Sequence, residues 1–324
     1  MDEPSSEPGL PPRGGLPAPP PPPRKSALAF FGLVLVLYAS LGILAQASSR
    51  LIGFCWSETF TLLVPALVAT RGANLKPARA LGLSRWPSPA ALGLALLAGV
   101  AGSLAGDALM ALETLLLPAR WVSNFDLSRL FETGSPISRV GLALGAVLLA
   151  PFCEEVAFRG FVLNSLRSRH PARIAILGSA VLFSIMHLDP VRFVALLGLG
   201  VLYGWLAWRS GSVWPSMLAH AVNNALGVAL LTTGPPPARA PGGSDWGEAV
   251  TPAIVLAVSA CALYPLLLAY RRKTPTPPPA SDAFVRVHPA DLSTDFKTER
   301  VPPSLLASIL VGVVLFGLLL GHRL

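Results

Sequence analysis

The chain has 324 residues, of which 52% are hydrophobic and only 13% charged, with a mean hydropathy of +0.59. A soluble domain carries about 25% charged residues, so the composition excludes an ordinary soluble protein. The net charge of +8 then reads as basic loops that set membrane orientation, with no nucleic-acid partner.

In chain order, residues 1–25 contain ten prolines and run into "PAPPPPPRK", the composition of a disordered polyproline-type tail. Nine apolar stretches follow, at about 27–47, 51–69, 89–117, 140–166, 174–189, 191–208, 213–232, 250–270 and 303–321. Spanning about 30 Å of hydrocarbon takes roughly 17–25 residues. The first stretch is a retained anchor, because a secretory signal places its apolar region directly after a short basic start. The fifth and sixth are short and separated by "LDPVR", so they can form one re-entrant unit. The expected fold is all-α: a polytopic membrane protein with 8–9 transmembrane helices around an intramembrane polar cavity.

The expected organisation has N-terminal helices over 26–135, a central core over 136–232, a Pro/Gly-rich loop at 233–249, and C-terminal helices over 250–324 with a polar loop at 272–302. With the N-terminus inside and nine spans, seventeen Lys and Arg fall on the cytoplasmic side and seven on the other, the asymmetry that places the N-terminus in the cytoplasm. Cys55, Cys153 and Cys261 lie scattered in apolar stretches with no C-x-x-C pairing and read as small core residues.

A charge at the centre of a membrane helix costs roughly 2.5–3.5 kcal/mol, so such residues are functional candidates by default. Here they are few: Glu154, Glu155 and Arg159 in "PFCEEVAFRG", His187 in "LFSIMHLDP", His220 and Asn224 in "SMLAHAVNNAL", and the acids Glu58, Asp107 and Glu113. Measured from the nearest basic residue at about 1.5 Å per residue, Glu154, His187, His220 and Asn224 lie about 20, 21, 16 and 22 Å deep. Three helices thus place polar groups in one layer. Glu155 and Arg159 are i,i+4, acid first, the favourable order for an ion pair. Glu154 points about 100° away and has no local partner, which suits a general base or a metal ligand. Pro151 removes a backbone bond to Val147, and Pro215 suits the first turn of the helix carrying His220. Asn223 faces away from His220 and reads as interhelical glue.

These residues resemble the CPBP family of CAAX proteases and bacteriocin-processing enzymes, intramembrane endopeptidases that include the Ras-converting CAAX enzyme. The family pattern E-E-x-x-x-R, F-x-x-x-H and H-x-x-x-N is met by Glu154-Glu155-x-x-x-Arg159, Phe183-x-x-x-His187 and His220-x-x-x-Asn224, within about residues 140–230. The resemblance implies that Glu154 and His187 activate a water, that His220 and Asn224 form the oxyanion side, and that Glu155 and Arg159 are the supporting pair, with Phe183 beside them. It implies a membrane-associated peptide or protein substrate. Glu154, His187 and His220 with an open position also suit Zn²⁺, but the sequence lacks H-E-x-x-H and metal-independent chemistry is favoured. Three other readings stay open: a polar network that only holds the bundle together, a non-proteolytic scaffold or bacteriocin-immunity protein, and a transporter using the charges as a relay. No internal repeat is evident, which counts against the last. The Ala/Gly/Pro/Arg-rich composition points to a bacterial inner membrane.

Overall fold

In hydrocarbon every backbone polar group must be satisfied within the chain, which leaves a helix as the way for an isolated segment to cross. The computed structural model describes residues 26–73, 75–133, 135–168, 170–233 and 246–274. Among them there is no strand, and eight long helices carry the fold: α1 Ala27–Ser48, α2 Arg50–Gly72, α3 Pro89–Leu116, α4 Pro136–Arg167, α5 Ala172–Met186, α6 Phe193–Ser210, α7 Trp214–Thr233 and α8 Trp246–Lys273.

Six of these are long and apolar enough to cross a membrane: α1, α2, α3, α4, α6 and α8. The chain is a helical integral membrane protein. α7 is long enough but is interrupted by His220, Asn223 and Asn224. α5 has 15 residues, about 22 Å of rise, short of the hydrocarbon thickness. It ends at Met186, before the expected limit of 189, because Leu188 adopts φ 51° and the chain turns. Asp189 caps that turn: Oδ1 accepts from Val191 N at 2.9 Å and Arg192 N at 3.2 Å, while Oδ2 pairs with Arg192. α5 and α6 then pack side by side. Their contact uses the small residues of "GLGVLYG": a Cβ on Gly200 would lie 3.0 Å from Ala180 Cβ, and one on Gly204 3.2 Å from Ile176.

α8 starts at Trp246, inside the loop expected over 233–249. Glu248 sits in its first turn, where a negative charge complements the helix dipole. The tail at 1–25, most of the loop at 272–302 and the stretch at 303–321 lie outside the described residues.

Two helices act as hubs. α4 packs against α1, α2, α5, α6 and α7, and α3 against α6, α7 and α8. The core around α4 joins Phe30, Leu62, Cys153, Phe158, Phe161, Phe183 and Met217. The core around α3 is built on alanines, with Ala91, Ala95 and Ala98 against Leu202, Leu206, Ala219 and Tyr270. Small residues let membrane helices approach closely, where packing rather than water exclusion drives association. Glu113 on α3 is structural: its two carboxylate oxygens accept from Val194 N (2.8 Å) and Ala195 N (3.1 Å), capping α6 from a neighbouring helix.

Cys153 is buried, but Cys55 is half-buried and Cys261 is exposed on α8. The expectation of three core cysteines fails for Cys261 because only 11% of the apolar window of α8 is buried in the bundle. Its outer face is apolar because it meets lipid.

One close approach bears on the site below. A Cβ on Gly99 of α3 would lie 2.8 Å from Ala219 Cα and 2.9 Å from Ala219 O, backbone against backbone, one residue before His220. Neither atom can swing aside. Gly99→Ala is expected to push α7 outward and to destabilise the protein by roughly 1–3 kcal/mol, read as a lower unfolding midpoint in detergent; an unchanged midpoint would show that the helices have slack.

Candidate active site

α4 is not a uniform α-helix. Residues Gly145–Leu149 and Val156–Leu163 are π-helical, and the single α-helical turn between them, Ala150–Glu155, holds Pro151, Glu154 and Glu155. Pro151 cannot donate to the preceding turn, and the helix accommodates it by widening. π-turns of this kind are frequent at functional sites.

The expected ion pair forms. Arg159 Nη1 lies 2.9 Å from Glu155 Oε1, with both side chains at 0% exposure. A buried charge needs further partners, and Arg159 has them: Nη2 donates to Gly200 O at 3.1 Å, and the guanidinium lies over the Phe183 ring at 4.3 Å and near Tyr203 at 5.4 Å. Glu155 has a second duty that spacing does not reveal. The same Oε1 accepts from His220 Nδ1 at 3.0 Å.

That contact decides how His220 faces the site. With Nδ1–H on Glu155, its Nε2 is turned to Glu154 Oε2, 3.9 Å away. His187 repeats the pattern from the end of α5. Its Nδ1 lies 2.8 Å from Phe183 O, a carbonyl that can only accept, so Nδ1 carries the hydrogen. Its Nε2 also lies 3.9 Å from Glu154 Oε2. Two imidazoles from separate helices therefore turn lone pairs toward one carboxylate oxygen. At 3.9 Å neither contact is a direct hydrogen bond, and the spacing suits a small group that bridges them. Between acceptors, that group must be a donor such as water, or a cation. No group of three or more His, Cys, Asp and Glu side chains among the described residues is arranged to hold a metal ion. Glu154 is 12% exposed and His187 24%, against 5% for His220, so the site opens on the Glu154–His187 side.

Phe183 is the common wall. Its ring meets His187, His220 and Phe158 edge-on, with centroids 4.7, 5.8 and 5.4 Å apart. Tyr203 stacks on His220 at 4.9 Å with an interplanar angle of 18°. Sequence reading missed Tyr203; its only signal is an aromatic ring between Gly200 and Gly204, where neighbouring backbones come close.

Asn224 is placed differently from the rest. Its Nδ2 donates to Ala146 O on α4 at 2.8 Å, and its Oδ1 accepts from Asn223 Nδ2 at 3.1 Å. Ala146 lies eight residues before Glu154, about 12 Å along the helix. One amide hydrogen of Asn224 therefore holds α7 to α4.

Glu58, noted from sequence only as an acid near a span, is 6% exposed in the π-helical segment Glu58–Leu63 of α2, and its Oε2 has no hydrogen-bond partner. That segment packs on Ala150–Glu155 of α4, so a second buried carboxylate adjoins the turn that carries Glu154.

A cavity of about 350 Å³ adjoins the site from behind: Arg159 forms part of its wall, and none of Glu154, His187, His220 or Asn224 does.

Residues 136–226 match the family profile described as Rce1-like, type II CAAX prenyl endopeptidase Rce1-like. The match covers α4 to α6, α7 as far as Leu226, and all the residues of the cluster except Glu58. No curated protein matches the chain. No solved structure matches it either.

Proposed function

With residues 136–226 the chain belongs to the CAAX-protease (CPBP) family, and from that premise we propose that it is an intramembrane endopeptidase that hydrolyses a peptide bond with a water activated by Glu154 and His187. The observation that carries this reading is the convergence of the two imidazole Nε2 atoms on Glu154 Oε2, each at 3.9 Å. A water bridging these groups would have both hydrogens directed at acceptors and a lone pair free for attack.

In the proposed reaction Glu154 takes a proton from the water as its oxygen bonds to the scissile carbonyl carbon. The carbonyl oxygen gains the negative charge, which His220 and Asn224 are proposed to stabilise. His220 Nε2 can donate there only when the ring carries a second proton, and Glu155 at Nδ1 is then its counter-ion, the logic by which a carboxylate supports a catalytic histidine. The C–N bond breaks as the proton held at Glu154 and His187 passes to the leaving amine. Arg159 holds Glu155 in place through their 2.9 Å contact. The substrate class is a membrane-associated peptide or protein. We place the enzyme in a bacterial inner membrane with its N-terminus in the cytoplasm, on the composition and the asymmetry of Lys and Arg.

The reaction is proposed to need no metal. Peptide cleavage by the purified protein should survive exhaustive chelation, and the protein should contain far less than one metal per chain. Loss of cleavage on chelation with recovery on adding zinc would overturn this, since zinc would then bind the neutral imidazoles and ionised carboxylate. Independently, Asn224→Ala should lower kcat by roughly 10²–10³-fold, the effect of removing one oxyanion donor, with little change in KM. A near wild-type rate would confine Asn224 to its bond with Ala146.

A further inference from the structure

The cavity behind the ion pair has the wrong composition for a mere packing defect. Arg79, Arg85, Arg159 and Arg167 all line it, with Ser84 and Trp208, and none of the described residues lining it is acidic. Arg159 is neutralised by Glu155, but its Nε–H is buried without an acceptor. Arg167 is only 8% exposed, and its Nη1 donates to Asn164 Oδ1 at 3.2 Å.

Basic loops beside membrane helices commonly reflect orientation alone. Here the loop is built into place. Between Arg79 and Arg85 the backbone is held at four points: Asn164 Nδ2 donates to Ala80 O (3.2 Å), Val213 N to Gly82 O (3.3 Å), Trp214 Nε1 to Leu83 O (2.9 Å) and Ser212 Oγ to Arg85 O (2.6 Å). Gly82 makes the turn at φ 72°, against Val213. Trp86 then stacks on Trp214 at 4.5 Å and 11°, the aromatic pairing expected where a bundle meets the headgroup layer. Orientation does not require such fixing; holding several guanidinium groups around one space does serve to bind something. Guanidinium forks match phosphate oxygens, about 350 Å³ lies within the range of ligand sites, and basic pockets at helix ends bind anionic headgroups.

We propose that this cavity is a binding site for a phosphate group of net negative charge, from the headgroup of an anionic lipid or from free phosphate. The site stands independently of the proteolytic reading, because it is tested by binding and not by cleavage.

The test uses the full chain purified in a neutral detergent, with the unfolding midpoint followed against added ligand. The probes are short-chain phosphatidylglycerol, inorganic phosphate, and short-chain phosphatidylcholine, whose choline cancels the phosphate charge. A saturable rise with phosphatidylglycerol alone assigns a lipid headgroup, a rise with inorganic phosphate as well assigns free phosphate, and phosphatidylcholine should give neither. Arg79→Gln with Arg85→Gln should weaken the effective ligand by roughly tenfold or more, and higher salt should weaken it further. Both arginines are exposed, so the variant should fold; Arg79→Lys with Arg85→Lys, which keeps the charge, should recover most of the affinity. A midpoint that no anion raises, or a double glutamine variant that responds like wild type, would overturn the proposal.

Discussion

Glu154→Gln is expected to abolish peptide cleavage, by at least the roughly 10²–10⁴-fold that a positioned general base contributes, while leaving the fold intact. The substitution keeps shape and removes the basic oxygen. Stability should not suffer, because Glu154 Oε2 is buried with no hydrogen-bond donor of its own and faces two imidazole nitrogens at 3.9 Å. An amide in that position brings hydrogens toward lone pairs, so the unfolding midpoint should stay the same or rise. Cleavage and thermal unfolding measured on one preparation test both halves. Turnover within tenfold of wild type would remove Glu154 from the chemistry, and a large fall in midpoint would make it a structural residue.

Glu155→Gln is expected to give the opposite profile: destabilisation of roughly 3–5 kcal/mol, the cost of leaving one partner of a buried ion pair alone. Arg159 is then charged at 1% exposure, beside Gly200 O and the ring faces of Phe183 and Tyr203. His220 is left with at most a neutral amide oxygen where a carboxylate received its Nδ1 hydrogen, so activity should fall as well, as a consequence. Replacing both members, as Glu155→Gln with Arg159→Met, should bring the unfolding midpoint back toward wild type, since removing a whole buried pair is often neutral. If the double variant is no more stable than Glu155→Gln, the stranded charge is not the cause.

Much of this arrangement was legible in the sequence. Runs of apolar residues located α1 to α4, α6 and α8, because length against hydrocarbon thickness is a strong constraint. Spacing along a helix separated Glu155 from Glu154 and paired it with Arg159. Depth counted from the loops put Glu154, His187, His220 and Asn224 in one layer; the structure brings the two imidazoles to Glu154 Oε2 but ties Asn224 to Ala146. What spacing cannot show is contact between helices. The bond from His220 to Glu155, the ring of Tyr203 on His220, the hold of Ala146 on Asn224 and the packing of Glu58 beside α4 all depend on interhelical rotation. Hydropathy fails in a related way for Cys261: lipid and protein core are equally apolar, so an apolar residue can face either. The end of α5 was missed for a local reason, the capped turn at Leu188 and Asp189 within an apolar run. The π-helical segments of α4 were not foreseen, although Pro151 lies in the α-helical piece between them.

Those segments have one more consequence. A π-turn closes its hydrogen bonds from i to i+5 and so holds a residue more than the α-helix it interrupts. Each residue in a helix advances the angular position by about 100°. Val156–Leu163 thus sets the phase between the two ends of α4: Glu154 and Glu155 on one side of it, Asn164 and Arg167 on the other. Restoring an ordinary α-helix by losing a single residue there would leave the acids against α5 and α7 but swing Arg167 off the cavity and Asn164 off the loop it holds. The segment is therefore a fixed phase offset within one continuous rod, which aims two faces at two different neighbours without the broken backbone that hydrocarbon would penalise.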